Sequence, residues 1–359
     1  MTESSGGLQS IEPEATPRKG INWGRDLLLI LMLVAAGAWI AWKAGVFHAK
    51  PKIAILTSTE DVYWDRLFLG GETAARYFDA QVTQVRCPAD EGKQSQKIRD
   101  LLAEGIDGVI VSPVNPDAQT SLLNEVAAKI PLITVDSDSP KSNRVAFIGT
   151  NNYDAGRQCA ELVKDALPDG GEIIVCVGSV ENDNGRSRRQ ALFDALLDRS
   201  KDSAQALDPL DAPLKAGKFT ILTTLIDGGD PAKAKSMAID AMQKHPEVKC
   251  FVALWSYNTP ALLEALKQTG KLGQIKIVGF DDLEPTLAGV EAGQVYATLV
   301  QDQYNMGFDS VMMMCATLQR SNAADSRPRK ATLTCTPLFN AEDVKMFRSD
   351  RDKSLPAAK

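Results

Sequence analysis

From residue 52 onward the chain alternates between short, apolar, β-rich runs and segments with helical spacing. This constrains the fold more than any other feature. A strand that returns through a helix to its neighbour runs parallel to it, and the resulting sheet needs helices on both faces. The strand candidates are 53–57, 81–86, 108–112, 132–136, 145–148, 172–177, 219–225, 250–254, 275–280 and 295–300. Between them lie helical stripes: Ile98, Leu101 and Leu102; Leu122, Leu123, Val126 and Ala127; Met237, Ala238, Ala241 and Met242. So many strands crowd one doubly wound sheet, so the expected fold class is α/β with two parallel sheets in two lobes. Residues 199–218 are charged, contain proline and lack periodicity, and read as a surface loop. The segment after Arg348 reads as a frayed tail.

The N-terminus is different. Residues 1–20 are polar, contain Pro13 and Pro17, and read as a disordered tail. Arg18, Lys19 and Arg25 then precede an apolar run, Leu27 to Trp42, bracketed by aromatic Trp23, Trp39 and Trp42. The run is slightly short of the roughly 20 residues of a membrane span. Extending it over 21–47 supplies the length, with Arg25, Asp26 and Lys43 near its ends, where they can snorkel. Basic residues ahead of the run keep the tail inside and send the bulk of the chain outside. A cleaved signal segment and an uncleaved transmembrane anchor both fit. Phe47-His48-Ala49 is a poor cleavage site and no lipid-accepting cysteine follows, which favours the anchor.

The 359 residues carry 40 Lys and Arg against 46 Asp and Glu, a formal net charge of −6. That balance argues against a nucleic-acid partner. Cys87, Cys159, Cys176, Cys250, Cys315 and Cys335 are scattered without metal-like spacing. They read as buried thiols, with disulfides as the alternative. Only two histidines exist, His48 and His245, and no nucleophile elbow, phosphate loop or HExxH motif is present. An enzyme, a cofactor and a metal are therefore not expected.

In open parallel sheets ligands bind beyond the carboxyl ends of the strands. The residues there are Tyr63 and Trp64, Asp136, Arg188 with Arg186 and Arg189, Asn258, Asp281 and Gln301. Carboxylates, amides and a guanidinium can each hold neighbouring hydroxyls bidentately, while aromatic faces cover apolar ring faces. Each residue has a plainer reading. Asp136, Asp281 and Asn258 can cap helices or turns. Tyr63 and Trp64 can be core, and Arg188 a solvated helix-face charge. Their joint placement at strand ends carries the argument.

From Lys52 to about Lys345 the chain resembles the ribose-type periplasmic sugar-binding proteins, whose fold the ligand domains of lactose-repressor-type regulators share. The resemblance is carried by Ile53-Ala-Ile-Leu-Thr-Ser-Thr, Gly108-Val-Ile-Val-Ser-Pro, Ile130-Pro-Leu-Ile-Thr-Val-Asp, Phe147-Ile-Gly-Thr-Asn-Asn-Tyr-Asp-Ala-Gly-Arg, His245-Pro-Glu-Val, Ile277-Val-Gly-Phe-Asp and Ala297-Thr-Leu-Val-Gln. It implies two Rossmann-like lobes joined by a three-strand hinge: 52–152 plus 302–331, and 153–301 plus 332–346, with 347–359 a tail. It also implies a sugar held by Tyr63, Trp64, Asp136, Arg188, Asn258, Asp281 and Gln301, with Ser58 and Asp61 as further first-lobe positions. Ser137 stands where ribose binders carry an arginine, which argues against ribose itself. The implied function is an extracytoplasmic solute-binding protein that delivers a monosaccharide to the membrane subunits of an ABC-type importer. The alternative is a tethered sensor signalling to a separate membrane partner. The chain is expected to act as a monomer.

Overall fold

The structure, a computed structural model, describes residues 23–43, 49–200, 206–319, 329–333 and 335–353. The polar tail 1–20, the ends of 21–47 and residues 354–359 lie outside the described residues. The chain divides into two compact units, Met1–Ala49 and Lys50–Lys359.

In the first unit the described element is helix α1 (Trp23–Lys43). The expected transmembrane anchor or signal segment, 21–47, falls on this helix and on residues outside the described ones. No helix among the described residues is long and apolar enough to cross a membrane. The uninterrupted apolar part of α1, Leu27 to Trp42, falls short of the roughly 20 residues a span requires, and Arg25, Asp26 and Lys43 occupy its ends.

The second unit runs β1 (Lys52–Leu56), α2 (Trp64–Tyr77), β2 (Gln81–Val85), α3 (Glu91–Ala103), β3 (Gly108–Val111), α4 (Pro116–Ala127), β4 (Leu132–Val135) and β5 (Ala146–Thr150). Then come α5 (Asn152–Ala166), β6 (Gly171–Val177), α6 (Asp183–Leu196), β7 (Leu214–Ala216), β8 (Phe219–Ile226), α7 (Pro231–Lys244), β9 (Val248–Ala253), α8 (Asn258–Gln268), β10 (Lys276–Phe280), α9 (Glu284–Glu291) and β11 (Ala297–Val300). The chain ends with α10 (Gln303–Gln319), β12 (Arg329–Leu333), β13 (Thr336–Leu338) and α11 (Ala341–Lys353).

The strands form two sheets, ordered β12-β5-β4-β3-β1-β2 and β13-β11-β10-β9-β6-β8-β7. All pairings are parallel except those of the edge strands β7 and β13. Strands β1, β3, β4 and β5 are buried along nearly their whole length, as both faces carry helices. Each sheet has an apolar cluster on either face. The chain passes between sheets three times: after β5, after β11, and between β12 and β13.

Two helix crossings fix the site. Helices α2 and α10 meet backbone to backbone, because a Cβ on Gly70 would stand 1.9 Å from the Tyr304 carbonyl oxygen. This sets the start of α2, where Tyr63 and Trp64 lie, against the approach to α10, where Gln301 lies. In the second lobe α5 and α6 meet at Gly156, where a Cβ would stand 2.2 Å from the Arg188 carbonyl oxygen.

All ten strand expectations correspond to strands, with ends shifted by a residue or two. Strand β7 lies inside the stretch expected to be loop, where it closes a short antiparallel ribbon with β8. Strands β12 and β13 were not anticipated, since each is an edge strand with weak patterning. The tail expected after Arg348 is helical as far as Lys353, with Arg348 paired to Glu284 and Glu291. All six cysteines are free and buried.

Candidate functional site

The carboxyl ends of β1, β4, β6, β9, β10 and β11 converge on one pocket between the lobes. Its atom-free space, open mouth included, is about 330 Å³. Eight of the ten expected residues line it: Ser58, Asp61, Tyr63, Trp64, Asp136, Arg188, Asp281 and Gln301.

Residues after β1 form a braced aromatic corner. Trp64 donates from Nε1 to Thr59 Oγ1 at 2.8 Å, and Thr59 donates in turn to Asp61 Oδ2 at 2.6 Å. The Tyr63 amide donates to Asp61 Oδ1 at 2.8 Å. The two rings meet edge to face at 5.0 Å. Burial raises the Asp61 carboxyl above its ordinary range.

Asp136 follows β4 and is 3% exposed. Its Oδ1 accepts from the Tyr63 hydroxyl at 2.8 Å, and its Oδ2 from Asn184 Nδ2 at 2.9 Å and Ser112 Oγ at 3.3 Å. Asp281 follows β10 and is equally buried, but only Oδ1 has a donor, Gln301 Nε2 at 2.9 Å. Burial raises both carboxyls, that of Asp281 to about 8, against the pull of the Arg188 charge.

Arg188, on α6, is 1% exposed and so is no surface charge. Its Nε donates to Asn152 Oδ1 at 2.8 Å, Nη1 to the Leu254 carbonyl at 2.9 Å and Nη2 to Gln301 Oε1 at 2.8 Å. The guanidinium lies 4.0 Å from the Phe280 ring centroid. Three N–H bonds are thereby spent on neutral acceptors. Gln301 also accepts from Thr150 Oγ1 at 2.7 Å, so one amide at a crossover ties Asp281, Arg188 and the end of β5 together.

Two expected residues are outside the pocket wall. Asn258 is fully buried behind it; its Oδ1 accepts from the Trp255 amide at 3.1 Å and its Nδ2 donates to Asp227 at 2.9 Å. It also does not cap α8, whose N-cap is Tyr257. Ser137 faces the other lobe, where its Oγ accepts from the Asp183 amide at 3.2 Å. Of the neighbouring arginines, Arg189 donates to Thr224 Oγ1 and the Pro209 carbonyl, and Arg186 pairs with Asp117. All three lie on α6 rather than in a loop.

The wall also contains Thr59, Asn184, Trp255, Ser256 and Tyr257, which the sequence reading passed over. Trp255 comes two residues after the last residue of β9, so the strand-end rule pointed to it, three positions before Asn258. Asn184 had no such signal, since the first turn of α6 brings it in. That turn also bridges the lobes: Asn182 Nδ2 donates to the Pro113 carbonyl at 3.2 Å, and Arg186 reaches Asp117 at 3.1 Å. The lobes are shut.

Residues 53–322 match the model of the periplasmic binding protein domain. The chain belongs to the periplasmic binding protein family. Among similar proteins, the D-allose-binding periplasmic protein of Escherichia coli is 25% identical over 282 residues, covering 75% of this chain and 84% of that protein. The putative rhizopine-binding protein of Rhizobium meliloti is 26% identical over 278 residues, 74% and 83% of the two chains. A solved solute-binding protein from Burkholderia graminis, in complex with D-arabinose, superposes with a TM-score of 0.71 at 25% identity, covering 81% of this chain and 96% of that one. Another, from Agrobacterium vitis and bound with α-D-tagatopyranose, gives 0.73 at 20% identity, over 86% and 100%.

Proposed function

We propose that this chain is an extracytoplasmic solute-binding protein that closes on a monosaccharide-sized polyol and delivers it to an ABC-type importer. The observation that carries this reading is the shut interlobe pocket, in which Asp136, Arg188, Asp281 and Gln301 turn hydrogen-bonding groups onto a small space walled by Tyr63, Trp64 and Trp255. Such walls recognise hydroxyls and ring faces without reacting with them, so the role is binding and not catalysis. The relatives named for allose binding, and the neighbour in complex with arabinose, support a sugar-like ligand. Basic residues ahead of the apolar run at 27–42 support export. We take the lobes as 52–152 plus 302–331 and 153–301 plus 332–346, hinged at the three crossovers, with ligand release by hinge opening. The tethered-sensor alternative, which needs a separate signalling partner, is not favoured by these relatives and is not carried forward.

Thermal melts of the full-length chain against pentoses, hexoses and sugar alcohols test this. A ligand at about 100 times its dissociation constant adds roughly 2.7 kcal/mol of stability, a readily visible shift. A folded protein whose melting temperature moves with none of them is not a polyol-binding protein.

A further inference from the structure

Asp136 and Asp281 are buried carboxylates at the centre of the pocket, and neither is ion-paired among the described residues. One cation, Arg188, lines the same wall, and its hydrogen bonds go to Asn152, Leu254 and Gln301 rather than to a carboxylate. Two buried acids therefore share one guanidinium. A buried charge without a counter-charge is costly, and burial raises both carboxyls, that of Asp281 to about 8. Asp136 has its oxygens occupied by three donors, whereas Asp281, which also lines the pocket, has no donor on Oδ2. A second, independent gap lies in the same wall. The Trp255 indole Nε1, on a side chain that is 9% exposed and lines the pocket, has no acceptor. The missing partners are thus a cation for Asp281 and a hydroxyl oxygen for Trp255. Aromatic walls add to the preference for a cation.

We propose that the ligand is a small polyol bearing a protonated amine, with the ammonium on Asp281 and a hydroxyl accepting from Trp255. This rests on the reading of the cleft as a polyol site. The ammonium supplies the positive charge that the wall lacks, so Asp281 ionises on binding and releases its proton. The groups around Asp281 are consistent with this: Arg188 favours its charged form, Asp136 and Asp282 oppose it, and Cys335 and Tyr63 are neutral there.

Calorimetric titration of the full-length chain tests the idea, with 2-amino-2-deoxyhexoses and a monoamino cyclitol set against their parent sugars, their parent cyclitol and their N-acetyl derivatives. The expected result is at least tenfold tighter binding of one amine than of its hydroxyl parent. N-acetylation, which keeps the shape and removes the charge, should abolish that gain. Asp281→Asn should erase the preference for the amine, and Trp255→Phe should weaken amine and parent alike. Affinity should rise between pH 6 and 8 as Asp281 ionises, until the amine itself loses its proton. A neutral sugar binding as tightly as its amine overturns the amine proposal and leaves the polyol reading intact. Failure of every amine and every parent to bind a folded protein overturns both.

Discussion

Asp136 and Asp281 take the same unusual backbone conformation in the two lobes, with φ of 61° and 65°. Each ends a central strand, and each donates its amide to the carbonyl of the next strand, Ile148 at 3.1 Å and Leu299 at 2.7 Å. Left-handed backbone is tolerated by Asp and Asn more readily than by other non-glycine residues. The two lobes thus present a carboxylate by the same device. The Asn variants keep that tolerance and the Ala variants do not. At pH 5, where Asp281 is protonated, Asp281→Asn should melt within about 1 kcal/mol of the wild type, while Asp281→Ala should lose a further 1–2 kcal/mol or so to backbone strain. Denaturant titration of both variants checks the order. Equal stabilities would mean that the backbone conformation costs nothing.

Stability of the ligand-free protein should fall as pH rises from about 4 to about 8. The Asp281 carboxyl titrates near 8 in the folded chain and near 3.8 when unfolded, so the folded state holds an extra proton throughout that window. Losing it as pH rises favours the unfolded state, and one proton corresponds to a slope of up to about 1.4 kcal/mol per pH unit. Asp136, raised for the same reason, adds to the slope. Melting curves across pH 5–8 should show the decline, and Asp281→Asn should flatten it. A wild-type curve that rises over this range would overturn the assignment.

The strands and their carboxyl-end residues were legible because buried parallel strands announce themselves as unbroken apolar runs, and Asp136 and Asp281 follow such runs directly. Arg188 was legible as a candidate site residue, but its burial was not. Its burial comes from the α5–α6 crossing at Gly156, a contact between segments far apart in sequence. Asn258, three positions past Trp255, lies behind the wall because its amide is spent on the Trp255 N–H and on Asp227. Strands β12 and β13 escaped because an edge strand buries one side and carries little periodicity.

Arg188 is expected to hold the pocket together as well as bind. Arg188→Met keeps much of the side chain's bulk but leaves the Asn152, Leu254 and Gln301 oxygens without their donor. Stranding buried acceptors costs about 1–3 kcal/mol each, with partial relief from relaxation, so a loss of about 3–5 kcal/mol is expected in denaturant unfolding. A loss under about 1 kcal/mol would show that these contacts are not formed in solution.

Ser137 is expected to act on closure rather than on the ligand. Its Oγ accepts from the Asp183 amide across the lobes and lines no part of the pocket. Ser137→Ala removes one neutral hydrogen bond from the shut form, worth about 1 kcal/mol, or about fivefold in affinity. The loss should appear in the dissociation rate, measured by stopped flow, with the ranking of ligands unchanged. A change in ligand ranking would return Ser137 to the binding surface.

Gly156→Ala should disable binding from a distance. A methyl group there would stand 2.2 Å from the Arg188 carbonyl oxygen and 2.8 Å from the Ala191 Cβ, so α5 and α6 must separate by more than side-chain adjustment allows. Helix α6 carries both Arg188 and Asn184, and its first turn supplies the contacts that close the lobes. Misplacing such groups by about 1 Å loses hydrogen bonds that tolerate only a few tenths of an ångström. Stability should fall by about 1–3 kcal/mol, the usual range for overpacking. Affinity should fall by more than tenfold at a temperature where the variant is still folded. Gly217→Ala serves as the control, since a Cβ there meets nothing within 4 Å. Its left-handed φ of 60° should lower stability without touching affinity, whereas a Gly156→Ala protein that is folded and binds normally would show that the α5–α6 contact does not position the site.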